Sequence, residues 1–349
     1  MKTIPRTIDN LTPEWLSEVL GRTITGFTSE PVGVGVGLVG QLHRLTLQGD
    51  GEPKTMIAKF SAPTDEGRFV ATVLNMYGRE VGFYNDLSPQ TRIPHPRCYH
   101  AAHDAETQDS ILLLEDVSTR GAMLDQIAGI AVDDAGPALR TLAQLHAAFW
   151  ADDNLADHPF LLRLCDDPYP SAVQFAYGTA WPNAQQFFPD QITPQVKEYG
   201  DAFGDRVPGL FAMLCDGPHV LSHADWRADN LFLTPDGEII AVDWQLIDRS
   251  VGPRDLSYFV TQSVNARDDG DYEKLFDIYL DELGSHGVTP DRDWAWQMYR
   301  YGAAMAFVYP IVAAGALTVE DPRHIEITGA MLRRSIRALE ALDAFDLPL

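Results

Sequence analysis

The stretch HADWRADN (223–230), running on into LFLTPDGEIIAVDW (231–244), constrains the fold more than any other part of the chain. Pro235-Asp236-Gly237 is a turn, because proline presets φ and glycine tolerates φ > 0. Apolar runs flank it, so the segment is predicted to be a β-hairpin. Pairing about that turn brings Asn230 and Asp243 nearly opposite each other at the open end. Two oxygen donors there suit Mg²⁺, which prefers a few protein oxygens together with phosphates and water. Asp225, five residues before Asn230, can accept a proton from an attacking hydroxyl. The loop has the length to turn back, so both side chains can face one phosphate.

Around this segment the order of elements is uneven. A short helix opens the chain, with Thr12 as its cap, Pro13 in its first turn and Gly21 at its end. Residues 31–51 read as strand, turn, strand, and 55–60 as the next strand. Residues 68–87 have helical period, with Val73, Tyr77, Glu80, Tyr84 and Leu87 on one face. The apolar run ILLLEDV (111–117) reads as a buried strand. Beyond about residue 118 helical signals dominate: 133–150, with Leu139, Leu142, His146 and Phe149 on a stripe, then stretches near 271–284, 291–313 and 321–343. Residues 151–218, rich in proline and aromatics, yield no assignment. A strand-rich first third followed by a helix-rich remainder indicates an α+β fold rather than alternating βαβ units.

Two charges fall on inward-facing positions of this pattern. Lys59 shares a strand face with Ile57, and Glu80 lies on the apolar face of the following helix. A mutual ion pair explains both, since removing one partner of a buried pair typically costs roughly 3–5 kcal/mol. Nearby, Gly35, Gly37 and Gly40 form a GxGxxG pattern. In a dinucleotide-binding fold it would open a helix and be followed by an acid about 20 residues on. Here β-type alternation follows and position 60 is Phe, which disfavours a nicotinamide-dependent oxidoreductase. The charge balance, 26 Lys+Arg against 50 Asp+Glu for a net −24, excludes the basic footprint needed for nucleic acid or anionic membranes. Three scattered cysteines with no CxxC fit a reducing cytoplasm, and no apolar run reaches the length of a membrane span.

The chain resembles the aminoglycoside phosphotransferase and choline-kinase-like families, which have the protein-kinase-like fold, and within them the ecdysteroid-kinase-like and bacterial phosphotransferase branch. The resemblance rests on REVGFYNDLSP (79–89), LLLEDV (112–117), LAQLHAAFW (142–150), HADWRADNLF (223–232), VDWQ (242–245) and GPRDLSYF (252–259), in the family's order. It implies a two-lobed fold, with a nucleotide-binding lobe over 1–117 and a catalytic and substrate-binding lobe over 118–349. It also implies ATP- and Mg²⁺-dependent phosphorylation of a small hydroxyl acceptor. By motif, Asp225 would be the catalytic base, Asn230 and Asp243 the metal ligands, and Lys59 the contact to the α/β phosphates, anchored by Glu80. Gly35, Gly37 and Gly40 would cover the phosphates. Leu114 would flank the adenine, with the backbones of Glu115 and Val117 bonding it. Ala224 stands where many members have Gly. Asp243 is followed by Trp-Gln rather than Phe-Gly, so no protein-kinase-style activation switch is expected. The rival reading is a nucleotide-binding pseudokinase that acts by interaction. His223 and Asp255 are expected to shape or brace the loop, and His146 to be a satisfied core histidine. The aromatics at 169–181 and along 291–313 are expected to be mostly core, with one or two walling an acceptor pocket.

Overall fold

The computed structural model describes residues 3–33 and 40–348. It forms two compact units, Met1–Gly121 with Val242–Leu246, and Ala122–Ala241 with Ile247–Leu349.

In the first unit, helix α1 (Pro13–Leu20) is capped by Thr12, whose hydroxyl accepts the Trp15 amide at 3.1 Å. Gly21 closes it in the left-handed conformation at φ 64°. Strands β1 (Ile24–Val32), β2 (Gly40–Gly49), β3 (Thr55–Ser61), β4 (Cys98–Asp104) and β5 (Asp109–Glu115) make one antiparallel sheet in the order β1-β2-β3-β5-β4. The period of two puts Met56, Ala58 and Phe60 of β3 on one face, packed with Leu45, Leu47, Ile111, Leu113 and Leu16. Lys59 therefore points to the other face, where its partner comes from the helical segment that follows.

That segment departs from the single helix expected over 68–87. It is α2 (Asp65–Val73), then α3 (Met76–Gly82), then one π-helical turn at Phe83–Leu87. The break falls at Asn75, which adopts φ 50°. Asparagine tolerates this left-handed conformation better than other non-glycine residues. Glu80 keeps its inward face, and the Tyr77 hydroxyl accepts the Ala62 amide at 2.8 Å, tying α3 to the end of β3.

The second unit opens with β6 (Ala122–Met123) and α4 (Gly136–Ala148), followed by α5 (Tyr169–Phe187) and α6 (Pro194–Met213). These last two occupy the stretch the sequence left unassigned. Their interior prolines, Pro182 and Pro208, mask the helical pattern, and each has a glycine four residues earlier, Gly178 and Gly204. The carbonyl that a proline ring crowds thus belongs to a residue without a side chain. Short strands follow: β7 (His219–Ser222), β8 (Leu231–Leu233), β9 (Ile239–Ala241) and β10 (Asp248–Val251). β8 and β9 form the expected hairpin, paired from Leu233↔Ile239 to Leu231↔Ala241, with Gly237 at φ 85° in its turn. β7 pairs with β10, and β6 adds to β8.

Helices α7 (Gly252–Ser263), α8 (Asp269–Ser285), α9 (Arg292–Ala306), α10 (Val308–Ala314) and α11 (Pro322–Ala341) complete the unit. The helix expected over 291–313 is split at Phe307. Pro310 explains the split: it cannot donate to the Ala306 carbonyl and its ring crowds that group. The Ala306 carbonyl instead accepts from Gln262 Nε2 at 3.2 Å. Every residue of α7 is buried, although the helix carries Arg254, Asp255, Ser257, Thr261, Gln262 and Ser263. No helix among the described residues is long and apolar enough to cross a membrane.

Candidate active site

In the first unit, Lys59 lies on β3, with Leu42 of β2 and Leu112 of β5 opposite it. Its ammonium sits 2.7 Å from Glu80 Oε2 and 2.8 Å from Asp243 Oδ1. Lys59 is 9% exposed and Glu80 2%. Burial alone would lower the lysine's pKa, but the charges and hydrogen bonds of Asp243 and Glu80 outweigh it and hold the ammonium protonated. Glu80 is pushed up, by burial first and by the Asp243 carboxylate. Asp243 adopts φ 67°, and its second oxygen accepts from Gln245 at 3.3 Å. Next to it, Trp244 stacks on Phe83 with ring centroids 3.8 Å apart and planes at 6°. The buried Arg79 donates to the Leu246 carbonyl at 3.4 Å, so the segment Val242–Leu246 is pinned on both sides of Gln245.

Gly40 begins β2, where a Cβ would lie 3.2 Å from the Phe60 carbonyl and 3.7 Å from Lys59 Cε. Gly35 and Gly37 lie outside the described residues. Leu114 and Glu115 end β5, paired with Ile57 and Met56, and Val117 starts the turn Val117–Thr119. Asp116 caps that turn through Ser118 and pairs with Arg44 of β2 at 2.6 Å. Burial would raise this carboxyl, yet the hydrogen bonds from Arg44 and Ser118 hold it below the usual range. The Val117 carbonyl accepts the Arg120 and Gly121 amides.

In the second unit, the loop after β7 is fixed from beneath by α7. Asp255 accepts the His223 amide at 2.7 Å and the Ala224 amide at 3.1 Å. Burial opposes ionisation of Asp255, but His146 and Arg254 hold its carboxyl below the ordinary range. His146 is fully buried, between Tyr279 at 2.8 Å and Asp255 at 3.4 Å, a satisfied core histidine. His223 Nδ1 accepts the Asp225 amide at 3.3 Å, a loop-shaping bond. Ala224 adopts φ 65°, the reason a glycine would be at ease there. Farther along, Gln126 and Ser263 both receive the Ala228 amide at 3.0 Å, and Asp229 accepts the Gln126 amide. Arg334 of α11 bonds the carbonyls of Gln126, Ile127 and Gln262.

Asp225 is thereby held rigid. Its Oδ2 accepts from Asn230 Nδ2 at 2.8 Å, and its carbonyl accepts from the same amide at 2.9 Å. Its Oδ1 accepts from the Tyr258 hydroxyl at 2.6 Å and pairs with Arg227 Nε at 3.2 Å. Asn230 spends both amide hydrogens on Asp225, which leaves its carbonyl oxygen as the atom for a cation. Asp248 is buried and paired with Arg254 at 3.0 Å. Of the aromatic candidates, Tyr169, Tyr177, Trp181, Tyr299, Tyr301 and Phe307 are core, whereas Phe175 is 77% exposed.

The sequence reading did not single out Tyr258, Arg227, Gln126 or Ser263. A signal for two of them existed: Asp255, Tyr258, Gln262 and Ser263 recur at spacings of three, four and one along a buried helix, which marks one face. That face holds the loop.

Comparison with solved structures places the fold. The choline kinase of Cryptosporidium parvum Iowa II matches with a TM-score of 0.54 at 12% identity, covering 94% of each chain. The choline kinase of Streptococcus pneumoniae matches with a TM-score of 0.54 at 14% identity, over 95% of this chain and 97% of that one. A spectinomycin phosphotransferase solved with ADP and spectinomycin gives 0.53 at 14% identity, over 96% and 99%. These likenesses establish the two-lobed, protein-kinase-like α+β fold. No curated protein sequence matches the chain. The sequence profile of the ecdysteroid kinase-like family matches residues 36–287, well over half of the chain, which therefore belongs to that family.

Proposed function

We propose that the protein is a small-molecule kinase that moves the γ-phosphoryl group of ATP to a hydroxyl of a small organic acceptor. The observation that carries this reading is the Lys59 ammonium held between Glu80 and Asp243, residues that lie 21 and 184 positions away along the chain. A buried ammonium held in place by two carboxylates is a preformed cationic group, and phosphates are the ligand such a group suits. The two choline kinases and the spectinomycin phosphotransferase of the same fold, the last holding ADP, support the same chemistry.

In this reading residues 1–117 bind the nucleotide and 118–349 provide catalysis and acceptor binding. Lys59 contacts the α/β phosphates and Glu80 anchors it. Gly35, Gly37 and Gly40 lie along the phosphates. Leu114 flanks the adenine, with the backbones of Glu115 and Val117 bonding its edge. The oxygens of Asn230 and Asp243 would hold Mg²⁺, which would supply charge neutralisation on the phosphates when bound. The donor set fits: one amide oxygen and one carboxylate, both hard ligands. Asp225 takes the acceptor's proton as the acceptor oxygen bonds to the γ-phosphorus. The β–γ bridging oxygen leaves with the electron pair as ADP. Asp243→Asn is expected to weaken Mg²⁺–ATP binding or abolish turnover.

The test is an ATP-consumption screen over chemically diverse alcohols, with Asp225→Ala as the blank. Turnover that falls on the order of 10²–10⁴-fold in the variant supports the role of Asp225. Binding of Mg²⁺–ATP with no phosphorylation across the panel would favour the pseudokinase instead.

A further inference from the structure

The carboxylate of Asp225 is not symmetrically occupied. Its two oxygens offer about four lone-pair sites. Oδ1 carries the Tyr258 hydroxyl at 2.6 Å and the Arg227 guanidinium at 3.2 Å, whereas among the described residues Oδ2 carries only the Asn230 amide at 2.8 Å. We propose that Tyr258 is a positioning residue: with Arg227 it fills Oδ1, fixes the carboxylate plane and leaves Oδ2 as the oxygen that receives the acceptor's proton. The inference rests on the kinase reading of Asp225.

Tyr258 is built for this task. It lies one turn beyond Asp255 on the buried helix α7, so one element both holds the loop backbone and aims its side chain. Its ring packs edge-on against Tyr309, with centroids 4.6 Å apart and planes at 71°. The Tyr309 hydroxyl receives Arg254 Nη2 at 2.9 Å, and Arg254 is itself fixed by Asp248 at 3.0 Å. The edge-on contact with Tyr309, itself held by Arg254, thus fixes the place of the Tyr258 ring. A phenol donates one hydrogen bond and no more, so its 2.6 Å bond to Oδ1 commits it there. Removing that hydroxyl frees Oδ1 and lets the carboxylate turn, which lowers the fraction of encounters in which Oδ2 faces the acceptor.

The experiment is a double-mutant cycle of Tyr258→Phe and Asp225→Ala. It is followed by ADP release from Mg²⁺–ATP, with water and with the best acceptor of the alcohol screen. Tyr258→Phe is expected to lower kcat about ten- to a hundred-fold, the range for a lost hydrogen bond to a charged group. KM for ATP is expected to stay within about two-fold, since the change acts on orientation rather than on uniform binding. The double variant is expected to be no slower than Asp225→Ala alone, because the hydroxyl acts only through that carboxylate. Unchanged kcat in Tyr258→Phe, or a loss that multiplies with that of Asp225→Ala, overturns the positioning role and leaves the kinase reading intact. Unchanged turnover in Asp225→Ala overturns the kinase reading and this inference with it. Should Tyr258→Phe fail to fold, Arg227→Gln empties the other position on Oδ1. It is expected to lower kcat likewise, and unchanged kcat there also overturns the proposal.

Discussion

Lys59 and Glu80 show how much a buried charge reveals and where it stops. Both were legible as a pair because each interrupts an otherwise apolar face, and an unpaired buried charge is too costly to keep. The third member, Asp243, was expected as a metal ligand and not as a partner of Lys59, since nothing local links positions 184 apart. Lys59→Met leaves Glu80 buried without its counter-ion. It is expected to lower the unfolding free energy by about 3–5 kcal/mol in a denaturant titration. A loss under about 1 kcal/mol would mean that the pair contributes no more than a surface bridge. Acid dependence follows from the depressed carboxyls. Asp255, ionised beside His146 and Arg254, and Asp116, ionised beside Arg44, both titrate below their unfolded values. The stability they contribute is complete above the unfolded value near about pH 4 and is lost as pH falls through the lower folded values. Melting temperatures are expected to be flat on account of these groups from pH 5 to 7 and to drop below pH 4. Asp255→Asn is expected to shallow that acid limb, and an unchanged limb would remove Asp255 from the account.

Helix α7 is the element that joins packing to the candidate chemistry. Its burial is complete, and several of its polar residues bond neighbouring elements: Ser257 donates to the Tyr299 carbonyl at 2.5 Å, and Gln262 to Ser335 at 2.8 Å. Helix α9 crosses it closely at Gly302, where a Cβ would meet Ser257 Oγ at 2.5 Å and Arg254 Cα at 3.2 Å. Gly302→Ala must part the two helices or displace Ser257. It is expected to destabilise by about 1–3 kcal/mol, measured as a lowered denaturation midpoint. An unshifted midpoint would show that the contact relaxes without cost. β2, β3, β5, the β8–β9 hairpin and α1 were readable because turn residues, caps and the period of two act locally, whereas most of β1 and all of β4 carried no such signal. The breaks at Asn75 and Phe307 were not, because each needs a backbone decision: a left-handed asparagine, and a carbonyl that Pro310 cannot serve but Gln262 can. α5 and α6 stayed hidden because Pro182 and Pro208 read as helix stops, and their Gly178 and Gly204 partners become meaningful only at i−4.

As a whole, the chain joins two units through a segment that leaves β9 and contributes Asp243 to the first unit. The ordered set of motifs made the fold and family readable, since each motif fixes a different element and their order admits few topologies. Specificity for an acceptor was not readable, because most of the aromatics expected to wall a pocket are spent in the core, while Phe175 is exposed. A ligand that binds only the folded state protects it by mass action, about 2.7 kcal/mol at a hundred times Kd. Saturating Mg²⁺–ATP is therefore expected to raise the melting temperature of the wild type. The most direct test is a calorimetric titration of Mg²⁺–ATP into the wild type and Asp243→Asn. The account requires saturable binding by the wild type and clearly weaker, less Mg²⁺-dependent binding by the variant. Equal affinity and equal Mg²⁺ dependence in both, or no binding by the wild type, would contradict it.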